Sequence, residues 1–295
     1  MSIIQGSAMQ GASRTFYPFE ITNSLRFNDD DSAFLSRTPS SAGNRKTFTF
    51  SCWLKRGSVS SDSRQFFSAG HTDFNNFAGI QFIGNGEIAF QNYNSGTQVI
   101  ARTGTVLFRD PAAWYHVVMA MDTTQSTQAD RLKLYVNGTQ ITSFDGSDAD
   151  LTLNYEGQFN DTKQHTIGCR QAASQSAFFD GYMAEVFFID GTAHNADAFG
   201  ETKNGIWVPK NITSSNFTMG TNGFHLTFED DATVEAFNTV LWEGNGGTQA
   251  ITGTGFSPDF VWIKNRDNAD DHYLYDTVRG PKNFLNSNQT TVEDY

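Results

Sequence analysis

A site that cleaves glycans needs two carboxylates facing one cleft, about 5 Å apart for retention or 6.5–9.5 Å for inversion. The run "GYMAEVFFID" offers Glu185 and Asp190. Strict alternation puts Glu185 on one face with Met183, Phe187 and Ile189 and points Asp190 to the other. No strand carries alternate acidic residues, and "FEDD" at 228–231 reads as a solvated turn at a strand end. There is no Gly-x-Ser-x-Gly elbow and no phosphate-cradling Gly-Lys-Ser/Thr loop. The six histidines are scattered without ligand spacing, so zinc is not expected. His116, on an apolar strand, is read as a packed, hydrogen-bonded histidine. Calcium takes loop carboxylates and carbonyls. Its candidates are Asp29, Asp30 and Asp31 in "NDDD" and Asp73 in "TDFNN", runs that elsewhere are usually solvated loops. No other cofactor is expected. Sugar binding needs an aromatic ring beside hydrogen-bonding groups. Trp53 shares a strand face with Thr49 and Ser51, which makes these three the candidate carbohydrate platform; the competing reading has Trp53 covered by a loop or a neighbouring subunit. The sequence is read as non-enzymatic.

The elements that hold these residues are strands. The 295 residues include 27 Phe and 26 Gly, with only 18% charged. Such a chain can bury a sizeable core and make many turns. Its net charge of −12 and lack of any Lys/Arg cluster argue against a phosphate backbone as partner. In "TFTFSCWLKRG", Phe48, Phe50, Cys52 and Leu54 take one face and Thr47, Thr49, Ser51, Trp53 and Lys55 the other. In "WYHVVMAMD", Tyr115, Val117, Met119 and Met121 oppose Trp114, His116, Val118 and Ala120. In "RLKLYVNGTQI", Asn137-Gly138 predicts a type I′ turn that sets Leu134 opposite Ile141. The series predicts an all-β, antiparallel two-sheet sandwich with Phe48, Phe50, Leu54, Val117, Met119, Leu134 and Val186 in its core. Cys52 and Cys169 are expected as buried reduced thiols. Neither a signal peptide nor a run of roughly 20 apolar residues is seen, so a soluble protein made in a cytosol, without membrane insertion, is expected.

Residues 1–20 are small and polar but for Ile3, Ile4, Phe16, Tyr17 and Phe19. They predict an arm that docks on a partner; the competing reading is a frayed terminus packed on the first strand. Residues 21–205 are assigned to the sandwich, 206–238 to a connecting segment with one added strand ("GFHLTFED"), and 239–295 to a second β-rich module. That module is short for an independent domain and reads as incomplete or shared with a partner.

The series "TFTFSCWLK", "WYHVVMAMD", "RLKLYVNGTQI", "HTIGC" and "FFDGYMAEVFFIDG" resembles the concanavalin A-like, laminin-G-like jelly rolls over roughly residues 20–200. Their closing strand has an Asp-Gly-x-x-x-Glu pattern, matched by Asp180, Gly181 and Glu185. The continuation "IDGTAHNADAFGETKNGIWVPK" is similar to virion proteins of marine bacteriophages, and "GFSPDFVWIKNRD…DTVRG" to a module of phage tail-fibre and other appendage proteins. That resemblance implies a structural component of a virion appendage, a tail fibre or head fibre, assembled in the host bacterial cytoplasm. It also implies a homo-oligomer, most often a trimer, held to other virion proteins by the arm. Recognition of host surface glycan by a lectin module is the alternative main role; glycan degradation ranks third.

Overall fold

The computed structural model describes residues 19–59, 63–70, 75–84, 86–144, 151–172, 174–229, 239–253, 257–280 and 282–290. The chain divides into two compact units between Glu229 and Asp230. The first holds strands β1 (Leu25–Phe27), β2 (Leu35–Arg37), β3 (Thr47–Arg56), β4 (Arg64–Gly70), β5 (Phe77–Phe82), β6 (Ile88–Asn94), β7 (Thr97–Thr103) and β8 (Trp114–Asp122). It continues with β9 (Leu132–Val136), β10 (Thr139–Ile141), β11 (Gln164–Ile167), β12 (Gly181–Asp190), β13 (Gly200–Lys203), β14 (Ile206–Pro209) and β15 (Phe224–Leu226). Among the described residues the only helices are single 3-10 turns, such as Ala196–Ala198. None is long and apolar enough to cross a membrane.

One sheet runs β1-β12-β3-β8-β9-β10, with β15 also paired to β12; the other runs β2-β11-β4-β5-β6-β7. Every pairing is antiparallel. The predicted two-sheet antiparallel sandwich is thus the fold. Its core lies between the sheets, and all seven predicted core residues are in it, each 0–1% exposed. Phe50 stacks on Phe67 with centroids 4.3 Å apart, and Phe67 on Phe159 at 4.7 Å. Each buried Phe contributes roughly 1.5–3 kcal/mol by leaving water, and stacking adds about 0.5–1.5. Cys52 and Cys169 are buried free thiols, as expected. Burial pushes the Cys52 thiol up, and that of Cys169 up to about 11, so neither is nucleophilic at neutral pH.

Among the described residues, three two-residue hairpin turns carry positive φ at both positions, as a type I′ turn requires: Ser95-Gly96, Asn137-Gly138 and Asn204-Gly205. Asn137-Gly138 sets Ile141 opposite Leu134, as predicted. Asn204-Gly205 lies between β13 and β14, which pair from Lys203–Ile206 to Gly200–Pro209. The sequence boundary at 205/206 therefore falls inside a hairpin. The described part of the expected connecting segment, 206–229, belongs to the first unit, and β15 completes its larger sheet.

A second departure lies in β12. Its register against β3 shifts between Ala184 and Phe187, with Glu185 at φ +48°. This bulge resets the alternation. Met183, Val186 and Phe188 face the inner core, whereas Phe187 and Ile189 face outward. Glu185 does not share a face with Met183, contrary to strict alternation.

The second unit, by itself, is a three-stranded antiparallel sheet of β16 (Phe260–Ile263), β17 (Tyr273–Asp276) and β18 (Leu285–Asn286). None of its described residues is buried.

Candidate functional site

The outer face of the larger sheet brings together most of the residues with chemical potential. Alternation aims Thr49, Ser51, Trp53 and Lys55 of β3 outward, beside Trp114, His116, Val118 and Ala120 of β8. The chain after β12 folds back over much of this face. Ala196, Phe199, Trp207, Phe217 and Met219 pack onto Val118, Ala120, Tyr135, Phe187 and Ile189, making a second apolar layer.

Trp207 fixes that layer. Its indole lies near-parallel to His116, with centroids 5.9 Å apart, and Trp53 also stacks on His116, at 4.8 Å. The stack is closed by hydrogen bonds. Trp207 Nε1 donates to His116 Nδ1 at 3.1 Å, which leaves Nε2–H to donate to Ser51 Oγ at 2.9 Å. Burial pushes His116 down to about 3, so the ring is neutral at physiological pH. This is the packed, hydrogen-bonded histidine that the sequence predicts. Gly138 and Gly200 flank the indole, where a Cβ would come within 2.3 and 2.5 Å of its carbons. Close approach of Trp207, as well as φ, therefore demands glycine at 138.

The predicted sugar platform is placed accordingly. Trp53 is 8% exposed, Ser51 1% and Thr49 0%. Thr49 Oγ1 donates to Thr192 O and accepts from His194 N, both at 2.7 Å. The three residues do share one face, but the chain's own 192–220 segment occupies it, as the competing reading of Trp53 had it. A narrow crevice remains beside them, lined by Phe19, Ile21, Trp53, Glu185 and Lys210 among others. Glu185 is the one carboxylate among its described lining residues. It accepts a hydrogen bond from His225 Nε2 at 2.7 Å, while His225 stacks on Phe187 at 3.7 Å. Phe19, the one described residue among the five apolar residues of the predicted arm, lines this crevice and is half-buried. Ile3, Ile4, Phe16 and Tyr17 lie outside the described residues.

Asp190 is a structural carboxylate. Oδ1 accepts from Asn44 N (2.8 Å) and Asn160 Nδ2 (2.6 Å), and Oδ2 from Thr221 N and Asn222 N (3.1 Å each). Asn222 Nδ2 in turn donates to Asn160 Oδ1 at 2.8 Å. These bonds tie three loops to the end of β12 and leave no lone pair directed at a substrate. Neither Trp207 nor this Asp–Asn network was singled out from sequence. The Asn204-Gly205 turn just before Trp207 is the signal that could have found the first.

The calcium candidates do not converge. Asp29 pairs with Arg64 at 2.7 Å, Asp31 accepts from Asn28 at 2.6 Å, and Asp30 is exposed. Asp73 lies outside the described residues. Among the described residues no group of three or more His, Cys, Asp or Glu side chains could hold a metal ion.

Residues 232–295 match a domain of unknown function (DUF7483). No curated protein matches the chain. Similar solved structures include a heptameric SAP-like pentraxin from Limulus polyphemus, 13% identical, covering 60% of this chain and 80% of that one at a TM-score of 0.42. The enzymatically active domain of tailspike protein 2 of bacteriophage CBA120 is 17% identical, covering 60% of this chain but 26% of its own, at 0.44. Mouse laminin alpha1 domains LG4-5 are 10% identical, covering 71% and 48%, at 0.40. The model of the concanavalin A-like lectin/glucanase superfamily matches residues 28–197, more than half of the chain, and the chain belongs to that superfamily.

Proposed function

We propose that this protein is a non-catalytic structural component of a bacteriophage virion appendage, a tail fibre or head fibre, in which the lectin-family sandwich is a rigid module. The observation that carries the non-catalytic part is the filled sheet face. Where a cleft would need exposed acid and base groups, Trp53, His116 and Trp207 form a sealed stack. The lone carboxylate in the adjoining crevice is already engaged by His225, and a glycosidase needs two. The appendage part rests on the resemblance carried by "IDGTAHNADAFGETKNGIWVPK" and "GFSPDFVWIKNRD". In the fold, the first becomes the cover over the sheet and the second the opening strand of a separate unit. Mass spectrometry of purified particles, with antibody labelling in electron microscopy, tests this reading. The protein is expected at a fixed copy number on a tail or head projection; its absence from intact particles would end the proposal. Incubation with host polysaccharide is expected to leave chain length unchanged, and any depolymerisation would reinstate the enzymatic reading.

A further inference from the structure

One surface of the larger sheet is left open by the cover. Register places Arg26 opposite Tyr182, Tyr182 opposite Lys55, and Lys55 opposite Trp114. The four lie in one row across β1, β12, β3 and β8, on the same side as Trp53, because Lys55 follows it by two residues. Three strand spacings make the row roughly 14 Å long. Trp114 is 39% and Tyr182 40% exposed, against 8% for Trp53. The Arg26 guanidinium sits 5.4 Å over the Tyr182 ring, donating to Asp180 Oδ1 at 2.6 Å and Gly181 O at 3.2 Å. It is thereby held in place with part of its five-donor fork unspent. No ion pair among the described residues engages the Lys55 ammonium.

We propose that this row binds an acidic polysaccharide, a chain bearing carboxylated sugars. An exposed indole offers an apolar face to the C–H side of a sugar ring. The two cations, one strand on either side of Tyr182, supply charge-assisted hydrogen bonds to carboxylates. Lys55, without an ion pair among the described residues, lies between Tyr182 and Trp114, with Arg26 at the end of the row paired to Asp180. On a chain of net charge −12 this is a local exception, and repulsion elsewhere confines an anion to it. A peptide is disfavoured: β12, β3 and β8 are interior strands, so their backbones offer no edge to a peptide. The length of the row suits a short oligosaccharide stretch rather than one sugar. This site is independent of the virion reading and stands or falls separately from it.

Affinity electrophoresis and calorimetry on the full chain, at physiological salt, test it with polygalacturonate as the acidic probe, dextran as the neutral one and polyglutamate as the non-sugar anion. Polygalacturonate is expected to bind. Lys55→Glu should weaken it at least tenfold and Trp114→Ala about fivefold, while Trp114→Tyr keeps most of it. Both changed side chains are at the surface, so the melting temperature should hold in each variant. Failure to bind polygalacturonate, or full binding by both Lys55→Glu and Trp114→Ala, overturns the proposal. Equal binding of dextran would show that the cations are idle, and equal binding of polyglutamate that the rings are; either also overturns it.

Discussion

The two units use similar strand sequences to opposite effect. In the first, β8 is apolar on both faces and both are covered: Met119 is 0% exposed beneath the second sheet, and Val118 0% beneath the folded-back segment. In the second, β16 is equally apolar on both faces, yet Phe260 is 56%, Val261 36% and Trp262 61% exposed. Its nearest approach to a cluster is Phe284, edge-on to Tyr273 at 5.1 Å and 5.6 Å from Tyr275. A strand apolar on both faces belongs inside a layered structure. The difference teaches that strand pattern alone says which faces want cover; it does not supply the cover. The first unit supplies its own, with a second sheet on one side and residues 192–220 on the other.

The sharpest way to break the contrast is to hollow the covered side. Phe50→Ala removes a ring stacked on Phe67 and should cost the first unit about 4 kcal/mol, read from urea unfolding of the 19–229 fragment. A cost under about 1 kcal/mol would mean that the core is far looser than its stacking. Acid should act next most strongly. Burial holds His116 near 3 and His165 near 4, against the ordinary 6.5. Burial outweighs the opposing hydrogen bond from His165 Nδ1 to Lys163 O, and the neutral ring accepts from Asn160 N at Nε2, both bonds at 2.9 Å. Above pH 6.5 both rings are neutral, folded or unfolded, and add no pH dependence. Below it the unfolded chain takes up protons that the folded one refuses, so stability falls until the folded values are reached. Between pH 6.5 and 5 the pair should together cost about 3 kcal/mol. A flat stability profile over that range would show that the rings are not sealed.

Much of the first unit was legible. Alternation assigned both faces of β3 and β8, and Asn137-Gly138 fixed a register, because period two and positive φ are local properties. What was not legible is non-local. The bulge at Glu185 inserts one residue and reverses the faces beyond it, so Phe187 and Ile189 point away from where strict alternation sends Met183's face. Likewise, that His116 faces outward follows from its strand, but that Trp207, 91 positions later, packs beside it and hydrogen-bonds it does not. Trp53, Ser51 and Thr49 accordingly share the face that alternation assigns them but are buried beneath its cover. A cheaper test of that cover is Gly138→Val, which sets a β-branched residue at φ +77° against the Trp207 ring. It should cost roughly 2 kcal/mol and raise Trp207 fluorescence accessibility to quencher. An unchanged melting temperature would mean that the turn and the indole yield together.

The smallest effect should come from the uncovered side. Trp262 makes one described side-chain hydrogen bond, from Nε1 to His272 Nδ1 at 3.2 Å; Trp262 is exposed and His272 half-buried. Replacing it by Ser removes no buried contact, so the first unit's stability should stay within about 0.5 kcal/mol. What should change is surface behaviour. An exposed apolar sheet face binds hydrophobic dyes and other apolar faces, so Trp262→Ser should lower dye fluorescence and any self-association seen by sedimentation. If the variant instead loses more than about 1 kcal/mol, Trp262 is covered in solution, and the contrast between the two units dissolves. If dye binding and association stay unchanged while stability also holds, the face carried by Val261, Tyr273 and Tyr275 is the one that seeks cover, and the same substitution made at Tyr275 should then show the effect.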